Sequence, residues 1–258
     1  MMSSVKDLSQ VLKSVSLILP TYNEAGNVAP LMREAVKQVR NCGVSLIEII
    51  VADDDSPDLT WQVAADTDIP GVEIKVLRRM ENHGLTASLN DAIAAARHEV
   101  IVWFDCDFSQ PPECIPQLLE QIAAGYDVAV NSRYLPGGGE NRSGDGSALH
   151  LFLSRCLNHT LRHLLGPAVT DYTSGFIATR REVFQNIRLQ GDYGEYFIDF
   201  MYRILLSKRF KIIEMPYIMQ PRRSGISKTG TNIMHYLRRG GKYVAVVRQL
   251  RKLPKEKV

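Results

Sequence analysis

Short apolar runs rich in β-branched residues alternate with longer segments of helical periodicity along the first half of the chain. Five runs predict strands: Ser14–Leu19, Leu46–Ala52, Glu73–Leu77, Val100–Phe104 and Asp127–Asn131. Four segments between them space their apolar residues three and four positions apart and predict helices: Val28–Arg40, Leu59–Ala65, Thr86–Ala96 and Ile115–Ala124. This alternation predicts an α/β fold, with a mostly parallel sheet that has helices on both faces.

The pattern is less regular after Asn131. Leu135–Gly146 is rich in glycine and charge and predicts a mobile loop. The remaining periodicity predicts helices at Leu149–Leu165, Tyr196–Leu206 and Asn232–Leu253, and strands at Ser174–Thr179 and Lys211–Met215. We therefore divide the 258 residues into an N-terminal extension (1–14), one α/β domain (15–221) and a basic loop with an amphipathic helix (222–258).

Charge is distributed unevenly. Residues 222–258 hold eleven lysines and arginines and one acid, a net charge of +10; because the whole chain carries +3, residues 1–221 carry −7. An apolar stripe runs through the basic helix: Ile233, Tyr236, Leu237, Tyr243, Val244, Val247 and Leu250. A basic amphipathic helix favours an anionic membrane surface or a membrane-anchored partner subunit, and the alternative is packing against the domain itself.

Other features of the sequence bear on the cellular compartment of the protein and on its partners. The four cysteines are scattered without metal-ligand spacing, which favours a reducing compartment. We find no secretory signal and no apolar run of the roughly 20 residues that span a bilayer. These features predict a cytoplasmic protein, peripheral on the cytoplasmic face of a membrane. No aromatic-rich basic motif indicates nucleic-acid binding, and acids at the strand ends would repel a phosphate backbone.

Polar motifs follow the predicted strands at their carboxyl ends, where ligands bind in parallel sheets. The segment from Pro20 to Glu24 offers Tyr22 for stacking on a flat base, or it is an ordinary turn with Asn23 as a helix cap. The cluster Asp53-Asp54-Asp55-Ser56 follows the second strand. Adjacent carboxylates repel unless a cation or hydroxyl-rich ligand is bound, so one suits a ribose or base contact; the alternative is helix capping.

Asp105 and Asp107 follow the apolar strand Val100–Phe104. Alternate carboxylates at a strand end can point the same way and share one hard cation, and Mg²⁺ or Mn²⁺ prefers oxygen ligands. Such a cation would neutralise charge on a departing nucleoside diphosphate. Arg133 after the fifth strand, and the segment from Arg222 to Lys228 after the last one, are suited to phosphate.

Six motifs occur in the order seen in family 2 glycosyltransferases, and they resemble the dolichol- or polyprenol-phosphate mannose synthases most. They are Pro20-Thr21-Tyr22-Asn23-Glu24, Asp53-Asp54-Asp55-Ser56, Asp105-Cys106-Asp107, Ser132-Arg133-Tyr134, Thr173-Ser174-Gly175-Phe176 and Arg222 to Lys228. The resemblance implies a GT-A type fold over 15–221. It also implies an inverting transfer of a sugar, mannose favoured, from a nucleotide sugar to a polyprenyl or dolichyl phosphate. GDP-mannose is the favoured donor, and a UDP-sugar is possible.

The resemblance also implies roles for individual residues. The residues implied to contact the nucleotide are Pro20, Tyr22, Glu24, Asp54 and Asp105, and those implied to bind the metal are Asp105 and Asp107. Phosphate or acceptor contacts are implied for Arg133, His150, Arg222 and Lys228. Asp107 and Arg133 are the implied catalytic residues. His150, or Arg142, stands where related synthases have a second acceptor-binding arginine.

The acceptor class decides which further group is needed. A lipid monophosphate is a dianion at neutral pH, so it needs positioning more than a base. A saccharide or other hydroxyl acceptor would need a base, and Asp199 or Glu195 is the candidate. The alternative for both acids is a solvated helix face.

Overall fold

The computed structural model describes residues 7–141, 147–192, 194–224 and 233–253, without the side chains of 147–151 and 233–240. The strands are β1 Ser14–Thr21, β2 Leu46–Asp53, β3 Val72–Arg78, β4 Val100–Trp103, β5 Val128–Ser132, β6 Gly139–Glu140, β7 Ile177–Arg180, β8 Ile212–Pro216 and β9 Ile218–Met219. The α-helices are α1 Ala25–Asn41, α2 Thr60–Ala65, α3 Leu85–Ala95, α4 Ile115–Ala123, α5 Ser147–Leu165, α6 Glu195–Ser207 and α7 Ile233–Leu250.

A seven-stranded sheet in the order β3-β2-β1-β4-β7-β5-β8 forms the centre of the molecule. Its strand pairs are parallel except where β7 runs antiparallel between β4 and β5. Thr21 pairs with Asp53 across β1 and β2, and Ser132 pairs with Pro216 across β5 and β8. The carboxyl ends of β1, β2, β4, β5 and β8 therefore meet along one edge, as the strand pattern predicts.

Helices cover both faces of the sheet, and the side chains of each strand alternate between two apolar cores. Leu17 and Leu19 of β1 face one core, with α1 and α4, whereas Ile18 faces the other, with α3, α5 and α6. β4 and most of β1 and β2 are apolar on both faces, which is the pattern of a parallel sheet covered on both sides, whereas the edge strand β3 has one polar, exposed face. The predicted α/β architecture is confirmed.

The segment predicted as a mobile loop is partly ordered by pairing. Gly139–Glu140 forms β6, which pairs with β9 in a small second sheet. A Cβ at Gly138 would lie 2.7 Å from the Ser132 carbonyl oxygen, so only glycine lets the two backbones approach this closely. The prediction of a loop throughout Leu135–Gly146 was therefore wrong for its middle part; residues 142–146 lie outside the described part of the chain.

The described parts of both terminal segments pack on the domain. Leu8 and Leu12 of the extension are buried in the core that α1 and α4 share. In α7, Val247 and Leu250 are buried in the opposite core, while Val244 is about half exposed. The described half of the predicted apolar stripe is thus divided between the protein's own core and solvent.

Candidate active site

The turns after β1 and β2 are fastened together by Asp53. Its fully buried carboxylate accepts hydrogen bonds from Thr21 Oγ1 at 2.7 Å and from the Ser56 backbone N–H and hydroxyl at 2.8 and 2.6 Å. The Ser56 hydroxyl in turn accepts the Asn23 backbone N–H at 2.9 Å. Asp53 is therefore a structural acid that fixes the relative position of two turns at the rim of the cleft.

Each other acid of this cluster has a partner within the protein. Asp54 Oδ1 binds the buried Arg79, and Asp54 Oδ2 accepts the Gly84 backbone N–H at 2.6 Å. Asp55 accepts from Arg78 Nε at 2.6 Å. Adjacent carboxylates do not require a bound ligand here, because neighbouring arginines and backbone donors offset their repulsion. The expectation that these acids need a bound ligand was therefore wrong, and the predicted nucleotide contact of Asp54 stays a prediction.

Pro20 and Tyr22 lie beside these turns. Pro20 lies opposite Ala52, one residue before the end of β1, and is partly exposed, while Tyr22 is 43% exposed. A ring this exposed at the carboxyl edge of a parallel sheet can stack on a planar group. The arrangement is compatible with the predicted nucleotide contacts of both residues.

The predicted metal ligands lie in the turn that follows β4. Gln110 fixes this turn, because its Oε1 accepts the Asp105 backbone N–H at 2.9 Å and its Nε2 donates to the Ser174 carbonyl at 3.0 Å. Asp105 is partly exposed. Asp107 is 4% exposed, with Oδ1 accepting the Ser109 backbone N–H at 2.8 Å. Its other oxygen, Oδ2, faces the Arg222 side chain and not the apolar core.

Arg222 bridges two acids that are far apart in the sequence. Its Nη1 donates to Glu24 Oε1 at 2.7 Å, and its Nη2 lies 2.7 Å from Asp107 Oδ2. Burial opposes its charge, but Asp107, Glu24 and Asp105 together hold the pKa of Arg222 above its usual value. The structure therefore brings Glu24, Asp105, Asp107 and Arg222 together at one place. The ion pairs of Arg222 were not predicted from the motifs, and its phosphate contact stays a prediction.

These residues suit a divalent cation. Two carboxylates at a strand end form the donor set that Mg²⁺ or Mn²⁺ takes when it binds through few protein ligands. Within the described ranges no cluster of three or more acidic, histidine or cysteine side chains forms a closed cage. A bound substrate would have to supply the remaining ligands.

Arg133 lies at the end of β5 inside a polar network. Its Nε and Nη2 each lie 2.8 Å from a different oxygen of Asp171, Nη2 also donates to Thr173 Oγ1 at 2.8 Å, and Nη1 lies 3.0 Å from Glu140 Oε1. Despite burial, Asp171 holds the pKa of Arg133 well above its usual value. Protein acceptors thus occupy the guanidinium, and the predicted phosphate contact would have to replace one of these bonds.

Asp199 and Glu195 are both buried, so the alternative of a solvated helix face was wrong. Glu195 Oε1 accepts the Asp192 backbone N–H at 3.2 Å. Asp199 pairs with Arg203 Nε at 2.7 Å, and burial, only partly offset by Arg203, raises the pKa of Asp199. Their predicted role as a base stays a prediction.

The remaining predicted acceptor residues are beyond what the structure describes. Lys228 and Arg142 lie outside the described residues, and of His150 only the backbone is described. The sequence analysis missed Arg79, Gln110, Glu140 and Asp171. Glu140 was hidden in the glycine-rich segment, whereas Asp171 stands two residues before the Thr173-Ser174-Gly175-Phe176 motif, a proximity that was available as a signal.

Residues 16–188 match the family model described as glycosyl transferase family 2, which is more than half of the chain. The chain belongs to glycosyl transferase family 2. The resemblance drawn from its six motifs is thus confirmed.

Two relatives of this family 2 chain carry informative names. It is 33% identical over 229 residues to a dolichol-phosphate mannosyltransferase from Pyrococcus furiosus, covering 87% of this chain and 62% of that protein. It is 35% identical over 225 residues to a polyprenol monophosphomannose synthase from Mycolicibacterium smegmatis, covering 84% of this chain and 82% of the relative. The chain therefore spans less than two thirds of the first relative and most of the second.

A solved structure shows the same fold. Glucosyl-3-phosphoglycerate synthase from Mycobacterium tuberculosis, solved with Mn²⁺, UDP and glucosyl-3-phosphoglycerate, matches with a TM-score of 0.68 at 18% identity. The match covers 97% of this family 2 chain and 84% of that one. The expected GT-A type fold is confirmed. Among the helices that the structure describes, none combines the length and the apolar character needed to cross a bilayer.

Proposed function

We propose that this chain is an inverting glycosyltransferase that moves a sugar, mannose favoured, from a nucleotide sugar to a polyprenyl or dolichyl phosphate. The observation that carries the proposal is the convergence of Glu24, Asp105 and Asp107 on Arg222 at the carboxyl edge of the sheet. Acids and a guanidinium at that edge suit a diphosphate with a divalent cation. The names of the Pyrococcus and Mycolicibacterium relatives support the acceptor class.

Asp105 and Asp107 would hold Mg²⁺ or Mn²⁺, which would neutralise negative charge on the leaving nucleoside diphosphate. Tyr22, beside Pro20, would stack on the base, and GDP-mannose is the favoured donor. Arg222, with Lys228 beyond the described residues, would bind phosphate. These groups act by positioning and by electrostatic stabilisation, because a phosphate dianion is already a competent nucleophile at neutral pH.

Arg133 has a positioning role in this proposal. Its ion pair with Asp171 joins the end of β5 to the segment before β7, and Glu140 adds β6 to the same network. In the order of the central sheet, β7 and β5 lie on the other side of β4 from β1 and β2. Arg133 would therefore shape the acceptor side, and contact with the acceptor phosphate would require exchange of one protein bond.

A second candidate acceptor is a hydroxyl group of a saccharide. One observation favours it: Asp199 is buried, and burial raises its pKa, which makes a carboxylate a stronger base. The ion pair with Arg203 opposes this use, since the base would first have to release that partner.

Transfer of label into an organic phase tests the function. The protein would be incubated with Mg²⁺, polyprenyl phosphate and radiolabelled GDP-mannose, UDP-glucose or UDP-GlcNAc in separate reactions. We expect extractable label with one donor, and its loss with chelator or with Asp107→Ala. Asp66→Asn, an exposed acid at the end of α2, is the matched control and should retain activity. Absence of extractable label with every donor would overturn the lipid acceptor and favour the hydroxyl acceptor.

The site of action would be the cytoplasmic surface of a membrane, reached directly or through a membrane-anchored subunit. Support comes from α7, where Val244 is about half exposed and Arg248 and Arg251 are exposed beside it. Basic and apolar side chains together favour anionic lipid. Flotation with vesicles containing anionic phospholipid, but not with neutral vesicles, is the expected result; no flotation with either would leave the partner subunit as the route.

A further inference from the structure

Arg222 lies where the carboxylates of the candidate active site converge. Its two terminal nitrogens lie 2.7 Å from Glu24 and 2.7 Å from Asp107, and Asp105 is close enough to favour its charge. The Arg222 side chain is 24% exposed, whereas those of Glu24 and Asp107 are 5% exposed. The guanidinium therefore covers the two acids and neutralises them on their solvent side.

Asp107 has little capacity left for another cation while Arg222 is in place. Its Oδ1 accepts the Ser109 backbone N–H at 2.8 Å, and its Oδ2 faces Arg222. A divalent cation bound at Oδ2 would stand next to a guanidinium of like charge. Like charges at this distance repel in a partly buried site, so the two cations compete for Asp107.

The Arg222 side chain can leave Asp107 without movement of the main chain. The Arg223 backbone N–H donates to the Asp107 carbonyl at 3.0 Å, which holds the chain next to the metal-ligand turn whatever the side chain does. Glu24 is also fixed, because its Oε2 accepts from Asn27 Nδ2 at 2.7 Å and its backbone N–H donates to Thr60 Oγ1 at 2.8 Å. Glu24 therefore remains a stationary partner about which the guanidinium can pivot.

We propose that Arg222 is an exchangeable counter-ion of Asp107. It neutralises this carboxylate until a divalent cation takes its place, and it then turns to the diphosphate that arrives with that cation. The exchange rests on the proposed function. It neither makes nor breaks a covalent bond. It predicts that metal binds weakly alone and much more strongly with a nucleoside diphosphate, because the diphosphate provides Arg222 with a new anionic partner.

Titration with Mn²⁺, followed by the electron paramagnetic resonance signal of the free ion, tests the exchange without any turnover. The variants are Arg222→Gln and, as a matched control, Arg223→Gln. Arg223 has the same charge one residue further on, with its guanidinium 4.9 Å from the centre of the Phe108 ring. Asp107→Ala identifies the site. Each protein is titrated alone, with GDP and with UDP.

Without nucleotide, we expect Arg222→Gln to bind Mn²⁺ with a Kd about tenfold lower than the unmodified protein, about 1.4 kcal/mol. Arg223→Gln should change that Kd less than twofold. With the nucleoside diphosphate that binds, the gain in Mn²⁺ affinity should be smaller in Arg222→Gln than in the unmodified protein.

An unchanged or weaker Mn²⁺ affinity in Arg222→Gln, or an equal gain in Arg223→Gln, would overturn the exchange and leave the proposed function intact. Failure of Mn²⁺ to bind any of the proteins, with or without nucleotide, would overturn the exchange together with the assigned metal ligands.

Discussion

Replacing Asp171 by asparagine removes the charge that compensates a buried arginine while keeping the size of the side chain. In the unmodified protein Asp171 is fully buried and accepts from Arg133 Nε and Nη2, each at 2.8 Å, and from the Thr173 backbone N–H at 3.1 Å. Asparagine has one acceptor oxygen instead of two, and its amide would direct N–H groups at the guanidinium. Of its ion pairs within the described residues, Arg133 would then keep the one with Glu140, at 3.0 Å.

Removal of one partner from a buried ion pair costs about 3–5 kcal/mol. Because Glu140 remains, we expect the lower end of that range for Asp171→Asn, about 3 kcal/mol. This is a large part of the about 5–15 kcal/mol that stabilises a typical domain. The midpoint of urea unfolding should therefore fall markedly.

Urea unfolding followed by tryptophan fluorescence measures this loss. Thr173→Val is the matched control: it removes one hydrogen-bond acceptor of the same guanidinium, at 2.8 Å, and should cost about 1 kcal/mol. If Asp171→Asn unfolds within about 1 kcal/mol of the unmodified protein, Arg133 does not depend on this pair. The positioning role would then be refuted, and the direct phosphate contact predicted from the sequence would gain support.

Three further predictions concern other parts of the structure. Burial opposes ionisation of Glu48, but hydrogen bonds from Ser16 and Arg97 outweigh it and keep its pKa below the usual value. Glu48→Gln should therefore destabilise the protein most at pH about 7 in urea unfolding, and the loss should shrink as the pH falls below the unfolded pKa and through the lowered folded pKa; a loss that does not change with pH would contradict this. Gly138→Ala places a methyl group against the Ser132 carbonyl and should cost about 1–3 kcal/mol by the same measurement. Exposed Cys156 should react rapidly with a disulfide reagent, and Cys156→Ser should abolish that fast phase; Cys42, its pKa raised by burial to about 12, should react only on unfolding.

The sequence was informative where local pattern determines structure. The apolar runs located β1, β2 and β4 to within two residues at each end, and each was followed by polar residues. Because parallel strands bring their carboxyl ends to one edge, the positions of Glu24 and Asp107 followed from these runs. That Arg222 joins these two acids was not predicted from the sequence, which assigned Arg222 to phosphate.

Partners that depend on long-range contacts were not predictable. Asp54 meets Arg79, and Arg133 meets Glu140, across loops whose course the sequence does not determine. Asp171, the other partner of Arg133, was signalled only by its place two residues before a motif. The three adjacent acids Asp53, Asp54 and Asp55 therefore looked uncompensated from the sequence alone. Pairing of β6 with β9 was missed for a related reason: two-residue strands are too short to show an alternating pattern.

The antiparallel direction of β7 determines where the segment between β5 and β7 begins and ends. The chain leaves the carboxyl edge of the sheet at Ser132, the end of β5, and returns to that edge at Ile177, because the antiparallel β7 starts where β5 ends. The segment between these residues therefore begins and ends at the same edge of the sheet as Arg133, and β1, β2 and β3 pair in register independently of it. We expect natural or engineered insertions between Ser132 and Ile177 to change which acceptor is glycosylated and to leave recognition of the donor intact.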